Sequence, residues 1–109
     1  MLPRDLSRLP DGVRASARVR ENGEVEWPLA EVTGAIDALA DDGRVILGLD
    51  LRSYPDGETV EVPWSSFEPG DSIGATAVEA GRSAAHAALA RENFAELREY
   101  AEWVLITWR

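Results

Sequence analysis

Two turn signals, Asn22-Gly23 and Pro55-Asp56-Gly57, each sit between runs in which apolar and polar residues alternate. This pairing constrains the chain more than any other feature. Alternation with period two marks half-buried strands, and these turn residues supply the backbone angles that a hairpin needs. Before the first turn, Val13, Ala15, Ala17 and Val19 alternate with Arg14, Ser16, Arg18 and Arg20, which predicts a strand. Parity then sets the loop length. A two-residue loop would put Val19 opposite Glu26. A three-residue loop of Glu21, Asn22 and Gly23 instead pairs Val19 with Val25, Arg20 with Glu24 and Arg18 with Glu26. The second register keeps Trp27 on the apolar face and opposes unlike charges across the ladder, so it is the expected one.

Trp27-Pro28 closes the second strand, because proline holds its predecessor extended and suits the first turn of a helix. Leu29, Val32, Ile36, Leu39 and Ala40 follow at helical spacing, and Gly43 is placed to end that helix at the C′ position. Asp41 and Asp42 sit there against the helix dipole. In Arg44–Arg52, Val45, Leu47, Leu49 and Leu51 share one face of a strand, while Ile46, Gly48, Asp50 and Arg52 share the other. Its hairpin partner runs through Thr59–Trp64, with Val60, Val62 and Trp64 facing inward. Pro63 cannot donate to a ladder and so places that strand at an edge.

A long helix over roughly 73–92 is expected to bury a thin stripe of Ala77, Ala80, Gly81, Ala84 and Ala88, ending in Leu89. Trp103–Trp108, β-branched and aromatic, reads as a last strand. The order β-β-α-β-β-α-β predicts an α+β fold: a mainly antiparallel sheet of about five strands, with two helices packed on one face. Residues 1–12, rich in Pro, Arg and Asp, read as a flexible arm, and residues 13–109 as a single α+β domain.

Charge is unevenly placed. Residues 1–20 hold five Arg against Asp5 and Asp11, a net of +3, whereas 21–109 hold six Arg against eighteen acids, a net of −12. A body this acidic repels nucleic acid and anionic membrane and draws basic surfaces toward it. With no cysteine there is no disulfide, no zinc–thiolate site and no thiol nucleophile, which fits a reducing, cytoplasmic compartment. No signal peptide and no membrane-spanning run of apolar residues is visible.

Catalytic patterns are sparse. His86 is the only histidine, lies mid-helix and has no acid four residues away on either side (Arg82 and Ala90), so no orienting partner for a general base is evident. Ser65 and Ser66 lack a base to activate them. Asp50 and Glu61, on facing strands of the second hairpin, could form a carboxylate pair for hydrolysis or hold a divalent cation. An alternative register sets Glu61 opposite Arg52 and makes an ordinary ion pair instead. No cofactor or metal is expected, and the chain reads as a non-enzyme.

What remains is an acidic surface with aromatic anchors. Asp50, Asp56, Glu58, Glu61, Glu68 and Asp71 are six acids within 22 residues, interleaved with Tyr54, Trp64 and Phe67. Aromatic anchors ringed by charge characterise protein interfaces. These nine residues form the candidate partner-binding set, although Trp64 also reads as a core residue. Glu26-Trp-Pro-Leu29 before a helix, Arg44-Val-Ile-Leu-Gly-Leu-Asp-Leu-Arg52, Glu61-Val-Pro-Trp-Ser-Ser-Phe-Glu68 and Glu102-Trp-Val-Leu-Ile-Thr-Trp108 are spread across residues 24–109. In layout this resembles the small bacterial immunity proteins of polymorphic and contact-dependent toxin systems. The resemblance implies a cytosolic inhibitor that blocks the active site of a cognate toxin domain, with a basic nuclease cleft as the fitting target. The alternatives are a small carboxylate- or metal-dependent hydrolase built on Asp50 and Glu61, or a protein that self-associates through Trp103–Trp108 as an edge strand.

Overall fold

Among the described residues every strand pairing is antiparallel, and the last strand in sequence lies in the middle of the sheet. The computed structural model describes residues 6–54, 60–66, 74–91 and 102–109. Within them run α1 (Asp11–Ser16), β1 (Arg18–Val19), β2 (Val25–Pro28), a 3₁₀ turn (Leu29–Glu31), α2 (Val32–Asp41), β3 (Ile46–Ser53), β4 (Val60–Ser66), α3 (Gly74–Arg91) and β5 (Trp103–Trp108). The strand order is β1-β2-β5-β3-β4. β1 is only two residues long, so four strands carry the sheet and β1 extends one edge. The class is α+β, as the element order predicts.

The first hairpin takes the three-residue register. Arg18 faces Glu26 and Val19 faces Val25, and the Arg20 N–H donates to the Glu24 carbonyl at 2.7 Å. Gly23, at φ 86°, supplies the left-handed residue that such a loop requires. After Pro28 the chain turns into α2, which ends as its sequence dictates. Gly43 adopts φ 80°, its N–H reaches the Ala40 carbonyl, and the Arg44 N–H reaches the Leu39 carbonyl, both at 2.9 Å. These two bonds are a Schellman cap. The unfavourable acids at this end are neutralised from outside the helix: Arg8 and Arg44 each bring Nε to 3.0 Å from Asp42, and Arg82 reaches Asp41 at 2.7 Å.

One face of the sheet holds the core. Val25 and Trp27 of β2, Leu49 and Leu51 of β3, and Val104, Ile106 and Trp108 of β5 cluster with Val32, Ile36 and Leu39 of α2 and with Ala85, Ala88 and Leu89 of α3. Trp27 is fully buried, its ring centroid 5.9 Å from that of Trp108. α3 sits unusually close to β3. A Cβ on Gly81 would lie 2.7 Å from the Ile46 carbonyl oxygen and 2.9 Å from its nitrogen, so only glycine fits there without displacing backbone.

Five expectations are corrected. Residues 11–16 form a helix rather than the start of a strand. Pro10 precedes it, Asp11 occupies its first turn and bonds Arg14 three residues on, and Ala15 and Ser16 suit a helix better than a strand. Within the segment read as an arm, Leu9 is buried in the core and Leu6 packs against it. The Trp27 indole N–H also donates 2.9 Å to the Val13 carbonyl at the end of that helix, which the Ser16 hydroxyl reaches at 3.1 Å. In β3 a bulge between Ile46 and Gly48 breaks the alternation, so Ile46 is fully buried while Leu47 is only half-buried. On α3 the buried stripe is Ala77, Val78, Gly81, Ala85, Ala88 and Leu89, with Ala80 exposed and Ala84 half-buried. Finally, β5 is not an edge strand: it pairs with β2 on one side and β3 on the other. β4, carrying Pro63, does lie at an edge as expected.

Candidate functional site

The sheet face opposite the helices carries the most concentrated charge. Alternation along β2 turns Val25 and Trp27 to the core, which sends Glu26 to the other side. The register then sets Glu26 in a row with Arg18, Leu105 and Asp50, and sets Trp103 beside Arg52 in the next row. Glu26 is fully buried, and Arg52 is only 6% exposed. Burying a carboxylate is costly unless its oxygens are hydrogen-bonded and its charge is matched. Here three donors meet it. Arg18 Nε lies 2.9 Å from Oε1, Arg52 Nη1 lies 3.4 Å from Oε2, and the Tyr54 hydroxyl donates to Oε2. Arg52 also gives Nη2 to Glu24 Oε1 at 2.9 Å, so two guanidinium groups are balanced by two carboxylates.

Aromatic rings cap the charges. The Arg18 guanidinium lies 4.0 Å from the Trp103 ring centroid and 4.4 Å from that of Tyr54, and Arg20 lies 4.8 Å from Tyr54. The chain of contacts Trp103, Arg18, Tyr54, Arg20 screens the ion pairs from water and strengthens them. Desolvation opposes the charge on Arg18, but hydrogen bonding to Glu26 and Tyr54 outweighs it and raises its pKa above the ordinary value. Desolvation also works against ionisation of Glu24. Hydrogen bonds from Asn22 and Arg52 prevail and hold its carboxyl below the usual range.

This arrangement holds strands together and leaves no spare base. The Glu26 oxygens are taken by three donors, Arg18 from β1 and Arg52 and Tyr54 from the end of β3. Among the described residues, no three His, Cys, Asp or Glu side chains come together to hold a metal ion.

A second polar cluster lies on the seam between α2 and α3. His86 Nε2 is 2.8 Å from Asp37 Oδ1, which corrects the view of this histidine as lacking an acidic partner: the partner sits 49 residues earlier, on α2. Arg82 joins them, reaching Asp41 at 2.7 Å, Glu79 at 3.4 Å and Asp37 at 3.5 Å. The bond to Asp41 is the main cause of a raised Arg82 pKa. A histidine oriented by a carboxylate is two-thirds of a nucleophile-activating triad, but no described hydroxyl completes it.

Of the nine residues singled out in the sequence, the structure positions four. Tyr54 is half-buried with its hydroxyl committed to Glu26, so it braces the sheet from within. Asp50 is half-buried on β3, opposite Leu105 on one side and Pro63 on the other. Glu61 and Trp64 fall on β4, where Glu61 is opposite Arg52 in register. The carboxylate pair Asp50–Glu61 is therefore not a directly facing pair. Asp56, Glu58, Phe67, Glu68 and Asp71 lie outside the described residues. Sequence reasoning missed the burial of Glu26, although its pairing with Arg18 was legible. It also missed Arg52 and Trp103 as members of the same cluster.

Comparison with known proteins gives no matching family model, no matching curated protein and no matching solved structure. Likewise, no helix among the described residues is long and apolar enough to cross a membrane.

Proposed function

We propose that this chain is a non-enzymatic binding protein of the immunity type, which neutralises a cognate toxin by laying an acidic surface over a basic active-site cleft. One observation carries the reading: among the described residues, most arginines fold back onto the chain's own carboxylates. Arg18, Arg44, Arg52 and Arg82 are all held in ion pairs, while Glu21, Glu31 and Glu102 stand exposed outside those pairs. The surplus of the −9 chain is thus displayed as carboxylate. Such a surface accelerates encounter with a basic partner and mimics the phosphates that a nuclease cleft is built to hold. The proposed contact surface is the acidic stretch around the second hairpin, with Asp56, Glu58, Glu68 and Asp71 as its charges.

The test is co-purification of the tagged full-length chain from its native cells at low salt, with mass spectrometry of what is retained. A stoichiometric basic protein that elutes only at high salt or under denaturant supports the reading. The combined reversal Asp56→Arg, Glu58→Arg and Glu68→Arg should then slow association with that protein at least tenfold and flatten its salt dependence. A chain that elutes alone, or binding unchanged by the reversal, removes the reading or this surface from it.

A further inference from the structure

We propose that the outer edge of β1 is a docking site for an extended segment of a partner protein that carries a carboxylate side chain. The inference is independent of the toxin-binding reading and concerns the opposite edge of the sheet. It begins with the hydrogen-bond pattern. In an antiparallel pair, residues alternate between those that turn their N–H and C=O toward the partner strand and those that turn them away. Arg20, just past β1, gives its N–H to Glu24, just before β2, so Val19, its neighbour, directs N–H and C=O to the outer side. Nothing among the described residues pairs with that side, because β1 ends the strand order. Val19 is also the one large apolar side chain left exposed among the described residues, at 50%.

The surroundings select the occupant. A concavity of about 460 Å³ runs along this edge, lined by Arg18, Val19, Arg20, Glu21 and Asn22. Arg20 stacks on Tyr54 and helps hold the Glu24 carboxyl below its usual range, yet unlike Arg18 and Arg52 beside it, it has no carboxylate at ion-pair distance among the described residues. A guanidinium held by an aromatic ring, with no carboxylate at ion-pair distance among the described residues, is preorganised for one. A second copy of this chain does not fit. Setting Val19 against Val19 across a twofold axis would place Arg18 opposite Arg20 twice, like charge against like. A polyacidic tract is equally unsuitable, since Glu21 closes the far end and the body of the chain is strongly acidic. The occupant is therefore a strand with one acid, facing Arg20, between apolar or neutral residues. Strand addition of this kind draws affinity from main-chain bonds and selectivity from the alternate side chains.

The probes are the blocked peptide acetyl-Thr-Val-Glu-Val-Thr-amide, its Gln counterpart and a short oligothymidylate, each titrated into the isotope-labelled full-length chain at physiological salt. The Glu peptide should shift amide resonances concentrated at residues 18–22, slow exchange of the Val19 amide and bind about tenfold more tightly than the Gln peptide. Arg20→Gln should erase that tenfold preference and leave the Gln peptide's affinity unchanged. Val19→Pro, which removes an outward N–H, should weaken both peptides. Equal binding of the two peptides, shifts centred elsewhere, or a response at 18–22 to the oligonucleotide in place of the peptide would each overturn the proposal. The Glu-against-Gln comparison on the unaltered chain decides it even where a variant does not fold.

Discussion

The two faces of the sheet are solved by different physics. On the helix side, Val25, Trp27, Leu49, Val104 and Ile106 gain by leaving water, and their contribution scales with area and fit, about 25 cal/mol for each Å² of apolar surface. On the other side, Glu26 and Arg52 are as buried as core residues, and their contribution depends on every partner being in place. An apolar contact degrades by degrees. A desolvated ion pair is satisfied or badly unsatisfied.

That contrast is open to test, starting with the largest effect. Glu26→Ala would leave Arg18, Arg52 and the Tyr54 hydroxyl without their shared acceptor, and should lower stability by about 3–5 kcal/mol in urea unfolding. Replacing the set together, with Arg18→Met, Glu26→Leu and Arg52→Met, should recover most of this loss, because no unpaired charge remains. A triple variant as unstable as the single one would mean that packing, and not charge balance, decides this face. Next comes the helix side. Gly81→Ala drives a methyl into the Ile46 backbone and should cost about 1–3 kcal/mol, read as a lower melting temperature. Gly43→Ala meets no atom within 4 Å, so any loss there is purely conformational and should be about 1–2 kcal/mol.

The smallest effect is in pH. The folded Glu24 carboxyl lies below its ordinary value of 4.5, so its ionised form stabilises the fold above that pH and its contribution is lost as pH falls through the lowered value. Denaturant melts across this acid window should show a shallower decline for Glu24→Gln than for the unaltered chain. Parallel curves would place the acid sensitivity elsewhere.

Much of the fold was legible because local and global signals agree. Parity and cross-strand charge chose the right loop around Asn22-Gly23, and Gly43 marked the helix end that its positive φ later explains. The signals failed where they were weak or came from far away in sequence. Val13, Ala15 and Ala17 alternate, but alanine is a poor strand former and the lead-in of Pro10 and Asp11 favours a helix start, so propensity overrode period. The bulge at Ile46–Gly48 inserts one residue, and no count along the strand reveals that. The candidate site fared unevenly for the same reason. Arg18 and Glu26 sit opposite each other within one hairpin and could be paired on paper. Arg52, Tyr54 and Trp103 reach the same carboxylate neighbourhood from strands remote in sequence, and His86 finds Asp37 only once two helices are packed.

The position of β5 has a consequence for how the molecule is assembled. β2 and β3 never touch as strands; each bonds to β5, as the two boards of a joint bond to an inserted spline. Until residues 103–108 arrive, the two hairpin-and-helix halves share no strand pairing and meet only through the packing of α2 against α3 and β3, each with a bare strand flank. Synthesis must therefore pass Trp108 before the halves can close, and closure spans the greatest sequence separations in the sheet, which slows it. The interval before closure is when exposed strand flanks invite pairing with other chains. A chain shortened ahead of Trp103 should collect as aggregate and not as a smaller folded protein.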